Sequence, residues 1–191
     1  GPDASHASNK PWKTLTKAVS AAGIASGDTV YMAPVTFRET CQVAMASPIA
    51  ETQVIGDFAN AQGFKDGSGV LLAAGDVILT AYTTNDTTAP ATSATIDLNG
   101  RDFLTFKYLL IVAGNSGSQG CVQGTTANST DIKFVSCAFI NVKGNLSTIT
   151  YTGLADVVSN WVIDSCYFCP SGAGSGLSIT LPTSTSADYD T

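Results

Sequence analysis

One apolar pattern is written three times along this chain, over 104–111, 132–139 and 161–168, at spacings of 28 and then 29 residues. Aligned, the three copies give four columns: Leu104, Ile132 and Trp161; Phe106, Phe134 and Ile163; Leu109, Cys137 and Cys166; Ile111, Phe139 and Phe168. A fixed period with matching apolar positions marks a repeat that buries its inner face only by stacking on its neighbours. Within each copy, strand alternation turns Phe106, Phe134 and Ile163 inward and the following Lys107, Val135 and Asp164 outward. A bend then resets the phase, so that Leu109, Cys137 and Cys166 point in again, which predicts two strands meeting at a corner.

Near the start, Trp12, Leu15, Val19 and Ala22 recur at three- and four-residue intervals between Pro11 and Gly23, which predicts a short amphipathic capping helix with Trp12, Leu15 and Val19 on its apolar face. Everything after it reads as short strands: 29–32, 36–40, 53–55, 70–73, 77–82, 95–98, 103–111, 121–123, 132–140, 148–151, 161–168 and 177–181. Stretches rich in Gly, Ser, Thr, Asn or Pro at 60–69, 83–93, 114–120 and 170–176 read as loops. Repeats of ~27 residues with about three strands each, stacked ~4.8 Å apart, close into a parallel β-helix of roughly six coils. The expected architecture is all-β, a right-handed single-stranded parallel β-helix in which 1–27 form a leader and cap and 28–191 form the coils. The polar end of the chain offers no closing cap, so the coils are expected to continue further or to be covered by another chain.

Composition narrows the partners. The chain has 191 residues, 44% hydrophobic and only 13% charged, with a net charge of −6, so no electrostatic footprint for nucleic acid exists. No run reaches the ~18 apolar residues of a membrane span, and the leader lacks a signal-peptide layout. Five Cys without a small-scaffold spacing argue against a disulfide framework, and the sequons at Asn85, Asn128 and Asn145 are what a Ser- and Thr-rich chain supplies by chance.

Further residues carry a likeness: Gly1 to Ala4, Pro11 to Ala18, Gly27-Asp-Thr-Val-Tyr-Met-Ala-Pro34, Phe37-Arg-Glu39 and Val54-Ile-Gly-Asp57. Together they resemble the amino-terminal end of the pectin-lyase-like right-handed β-helix superfamily, in which a short helix plugs the solenoid before its first coils. The resemblance implies that fold. It leaves the activity open, because the superfamily includes polysaccharide lyases, glycoside hydrolases, surface adhesins and phage tailspikes. Its lyases use calcium held by clustered carboxylates with a Lys or Arg base, and its hydrolases use paired Asp. This chain matches neither pattern, so no catalytic position is carried over.

Asp97, Arg101 and Asp102 form the densest charged group and could in principle serve acid and base work, but Asn99-Gly100 between them is a turn signal. Arg38 and Glu39 beside the cap read as structural. Lys107, Lys133 and Asp164 could line a shallow groove for a glycan, with Tyr108 and Tyr167 near the same corner to stack on sugar rings. Cys166 and Cys169 lack further ligands at zinc spacing, since the single His is His6, so no metal or other cofactor is expected. Gly172 to Gly176 lacks the Lys and the strand-loop-helix setting of a phosphate loop. The expected role is therefore non-catalytic: a structural and recognition β-helix of a virion (tailspike, fibre or capsid-associated protein) or a cell surface. It would be homo-oligomeric, trimeric if viral, and in contact with polysaccharide or other surface subunits. The rival is a lyase or hydrolase whose catalytic coils lie outside this segment.

Overall fold

A computed structural model describes residues 12–20, 23–46, 48–82, 94–113, 120–124, 129–140, 149–152, 160–169 and 177–180. Among these described residues a single-turn helix, α1 (Leu15–Ala18), precedes fifteen short strands. The apolar spacing predicts a helix from 11 to 22, but its described part is only this one turn, with Thr14 as N-cap accepting from Lys17 N at 3.2 Å. Leu15 and Val19 are buried, and Trp12 packs half-covered against the buried core.

The strands form three parallel sheets, and each sheet takes every third strand. The first holds β1 (Thr29–Met32), β4 (Thr52–Gly56), β7 (Leu104–Lys107), β10 (Ile132–Val135) and β13 (Val162–Asp164). The second holds β2 (Thr36–Arg38), β5 (Ile78–Thr80), β8 (Leu110–Val112), β11 (Ala138–Ile140) and β14 (Tyr167–Cys169). The third holds β3 (Cys41–Gln42), β6 (Ile96–Asp97), β9 (Val122–Gly124), β12 (Ile149–Thr152) and β15 (Leu177–Thr180). Each trio of consecutive strands is one coil, and each coil adds one strand to every sheet.

Register turns the sequence columns into ladders. Val54 pairs with Phe106, Phe106 with Phe134, and Phe134 with Ile163. Leu79, Ile111, Phe139 and Phe168 follow one another in the second sheet. The rings stack as parallel register requires: Phe106 on Phe134 at 5.1 Å and 13°, Phe139 on Phe168 at 5.0 Å and 16°. The phase reset at the corner has a backbone cause. Tyr108, Ser136 and Ser165 stand at φ 57°, 51° and 54°, left-handed residues that turn the chain between the first and second sheets. Phe103, Asp131 and Asn160, at φ 52°, 55° and 60°, repeat the device just before β7, β10 and β13.

Two expectations are corrected. The described residues form five coils, not six, because the second is far longer than the repeat: Thr52 pairs with Leu104, 52 positions on, whereas Leu104 pairs with Ile132 after 28. The surplus lies in the connections on either side of β5. The strand expected at 70–73 belongs to the first of these connections and makes only a single antiparallel bridge, Lys65 to Leu71. Val70 and Leu71 are each 62% exposed, so their local apolar pattern finds no sheet to join. Side chains shape this excursion: Asp57 accepts from Ala61 N and Gln62 N at 2.8 and 2.7 Å, and Asn60 donates to the carbonyls of Phe64 and Leu72 at 3.0 and 2.8 Å. Among the described residues no helix is long and apolar enough to cross a membrane.

Candidate functional site

The outward face of the first sheet carries the charged candidates in two rows. Gln53, Thr105, Lys133 and Val162 form one; Ile55, Lys107, Val135 and Asp164 form the other. Both lysines lean toward the amino-terminal coils. Lys107 Nζ donates to Gln53 Oε1 at 3.1 Å, and Lys133 Nζ reaches past Thr105 to Glu51 Oε2 at 3.1 Å. Thr105, buried although it faces outward, donates its hydroxyl to Glu51 Oε1 at 2.9 Å. Asp164 lies on the other side of this cluster and takes its bond from Ser165 Oγ at 3.0 Å. The expected groove of Lys107, Lys133 and Asp164 is thus split, with the lysines tied into a polar network and the carboxylate apart from it.

Glu51 was not singled out by its sequence, although it shares the outward parity of Gln53 and Ile55. The Lys133 hydrogen bond, then that of Thr105, holds its carboxyl below the usual 4.5. A depressed folded pKa adds stability that is present above the unfolded value and is lost as pH falls through the folded one. Exposure of 38% for both partners keeps that contribution below ~1 kcal/mol. The denaturant midpoints of wild type and Glu51→Gln are expected to differ slightly at neutral pH and to converge as acidification protonates Glu51 in the folded state.

Tyr108 occupies the corner and meets the ring of Phe58 edge-on at 6.1 Å. Tyr167 lies beyond the corner in β14, 64% exposed. Arg101 N closes on Leu98 O at 3.0 Å around Asn99 and Gly100, both left-handed at φ 51° and 65°. Here Asp97 accepts from Asn99 N and Asp102 from Thr130 N, at 3.0 and 2.7 Å, so this charged group is a turn with its carboxylates committed to backbone. The inner thiols bond between coils, Cys137 Sγ to Phe106 O at 3.5 Å and Cys166 Sγ to Phe134 O at 3.4 Å, and burial pushes Cys137 up to about 12. Cys169 faces outward while Cys166 faces in, so strand geometry separates the pair. Among the described residues no three His, Cys, Asp or Glu converge as metal ligands; His6 and 170–176 lie outside them.

Glu39 serves the cap. Its carboxylate accepts from Leu15 N at 2.7 Å, Thr16 N at 2.9 Å and the Thr16 hydroxyl, clamping α1 onto the first coil. Glu39→Ala is expected to lower stability by about 1–3 kcal/mol, read from denaturant unfolding, with faster amide exchange at Leu15 and Thr16.

At the same end lies a groove of about 580 Å³, walled by Trp12, Tyr31, Phe37, Phe64 and Leu72, with Lys13 and Lys65 on its rim. No local motif announces it, because its walls come from the cap, the first coil and the excursion after β4.

A family model described as "Protein of unknown function (DUF1565)" matches residues 1–175. The chain belongs to the DUF1565 family. That family is associated with right-handed β-helix proteins, in keeping with the parallel sheets described above. No curated protein and no solved structure matches this DUF1565 chain.

Proposed function

We propose that this DUF1565 chain is a right-handed parallel β-helix of the pectin-lyase-like kind, acting as a stiff structural and recognition module at a virion or cell surface. The observation that carries this reading is the register itself, in which three sheets advance one strand per coil. Parallel crossovers are right-handed in ~98% of cases, and stacked coils make a rod whose outer face can present side chains at a fixed pitch. The polar groups on that face support a presenting surface over a reacting one. Lys133 and Thr105 bond to Glu51 and Lys107 bonds to Gln53, and among the described residues of that face no carboxylate pair is seen to converge with a free base. Tyr108 and Tyr167, both exposed, are the aromatics read as offered to a glycan, and the rod is read as one subunit of a homo-oligomer.

A depolymerisation screen on acidic and neutral polysaccharides, run beside a glycan array, tests this. Retention of a glycan without release of oligosaccharides, weakened in Tyr108→Ala and Tyr167→Ala, is the expected result. Release of oligosaccharides would replace this reading with that of a polysaccharide lyase or glycoside hydrolase.

A further inference from the structure

The strands that open the stack end in different company. On the side of β2 and β3, α1 closes the first coil: Glu39 takes the N–H groups of Leu15 and Thr16, Thr40 O accepts from Thr16 Oγ1 at 3.2 Å, and Ala44 N donates to Val19 O at 2.9 Å. Among the described residues β1, the first strand of its sheet, has a neighbour on one side only. The carbonyls of Asp28 and Met32 accept from Gln53 N and Asp57 N at 3.0 and 2.9 Å, both on the β4 side. In a parallel ladder alternate residues bond to opposite neighbours, so Thr29 and Tyr31 turn their N–H and C=O groups to the other edge. Among the described residues nothing bonds to them there.

That edge opens into the groove of about 580 Å³. Trp12, Phe37, Phe64 and Leu72 give it apolar walls. Lys13 and Lys65 stand exposed on its rim, and their ammonium groups make no bond with the described residues, while Asp66 beside them spends Oδ1 on Ser68 N and Val70 N at 2.8 and 2.9 Å. Two uncommitted cations on a chain of net charge −6 make this rim locally complementary to anions.

We propose that the groove is a strand-addition site, taking an extended segment of a partner polypeptide that alternates apolar and acidic side chains. Its backbone would pair with Thr29 and Tyr31, its apolar side chains would enter between Trp12 and Phe64, and its carboxylates would meet Lys13 and Lys65. An unpaired edge selects a peptide over a sugar, because only a peptide answers a repeating N–H and C=O ladder.

The test titrates the full chain with a short peptide of alternating valine and glutamate, followed by Trp fluorescence and by amide exchange at Thr29 and Tyr31. Saturable binding is expected, with slowed exchange at those two amides. Replacing glutamate by lysine should weaken binding by about 5- to 10-fold, and Lys13→Glu with Lys65→Glu, two exposed substitutions that leave the core intact, should reverse the preference. N-methylation of alternate peptide amides should abolish binding. Absence of saturable binding overturns the proposal, as do equal binding of the N-methylated peptide and capture of an oligogalacturonate in the peptide's place. Binding seen only after removal of residues 1–11 would also overturn it, by assigning the groove to the chain's own leader.

Discussion

Phe134→Ala is expected to cost about 3–5 kcal/mol in denaturant unfolding, the range for truncating a fully buried aromatic ring. Phe134 has no exposed surface and lies at the crossing of two ladders. It stacks on Phe106 at 5.1 Å along the first sheet, meets Phe139 edge-on at 5.3 Å across the interior, and lies 6.5 Å from Trp161 of the following coil. Its neighbours are pinned by parallel register above and below, so the walls of the cavity cannot collapse by sliding one strand without breaking two ladders. Phe134→Leu keeps part of the contact and should cost distinctly less. Because each coil touches only its neighbours, amide exchange should rise most in β10 to β14 and least at α1. Phe106→Ala combined with Phe134→Ala should fall short of the sum of the two, since both lose the same stacking contact. A cost below ~1 kcal/mol for Phe134→Ala would contradict a continuous interior column.

The part of this fold that could be read from the chain is the part that repeats. Parallel strands in register place the same position of each coil directly above its predecessor, so Phe106, Phe134 and Ile163 must satisfy the same burial, and the sequence records it as a period. The Asn99-Gly100 turn was legible for another local reason, since both residues tolerate the left-handed backbone that the turn requires. Contacts that occur once leave no such trace. Glu39 clamps Leu15 from 24 positions away, and although its place beside the cap reads as structural, nothing local names that partner. Glu51 receives Lys133 across 82 positions, and its outward parity alone does not name its partner. The long second coil misled the count of coils because a period cannot distinguish an extra coil from an excursion, and 70–73 has strand composition without a strand to pair with. The amino-terminal groove is assembled from three separate segments, which only the fold brings together.

Gly56→Ala is expected to cost about 3 kcal/mol, at the upper end of overpacking penalties, although it adds one methyl group to a buried position. Gly56 ends β4 in register with Met32, under the corner that carries the third coil from its first sheet to its second. A Cβ there would stand 2.1 Å from the carbonyl oxygen of Tyr108 and 3.1 Å from Leu109 Cδ2. The oxygen cannot give way cheaply. Tyr108 is held at φ 57° with its N–H on Val135 O at 3.2 Å, the Leu110 N–H is bonded to Val77 O at 3.0 Å, and the Tyr108 ring rests against Phe58. Relief therefore requires parting β4 from β7 or unbending the corner, and either lifts Leu109 from the interior, where it is buried. Gly67, in the exposed excursion with nothing within 4 Å of its added Cβ, is the matched control, and Gly67→Ala should stay within ~0.5 kcal/mol of wild type. The contrast separates steric closure from the general effect of removing a glycine, which reduces unfolded-chain entropy in both variants alike. If the two substitutions cost the same, the close approach of the corner to β4 would not be what reserves this position for glycine.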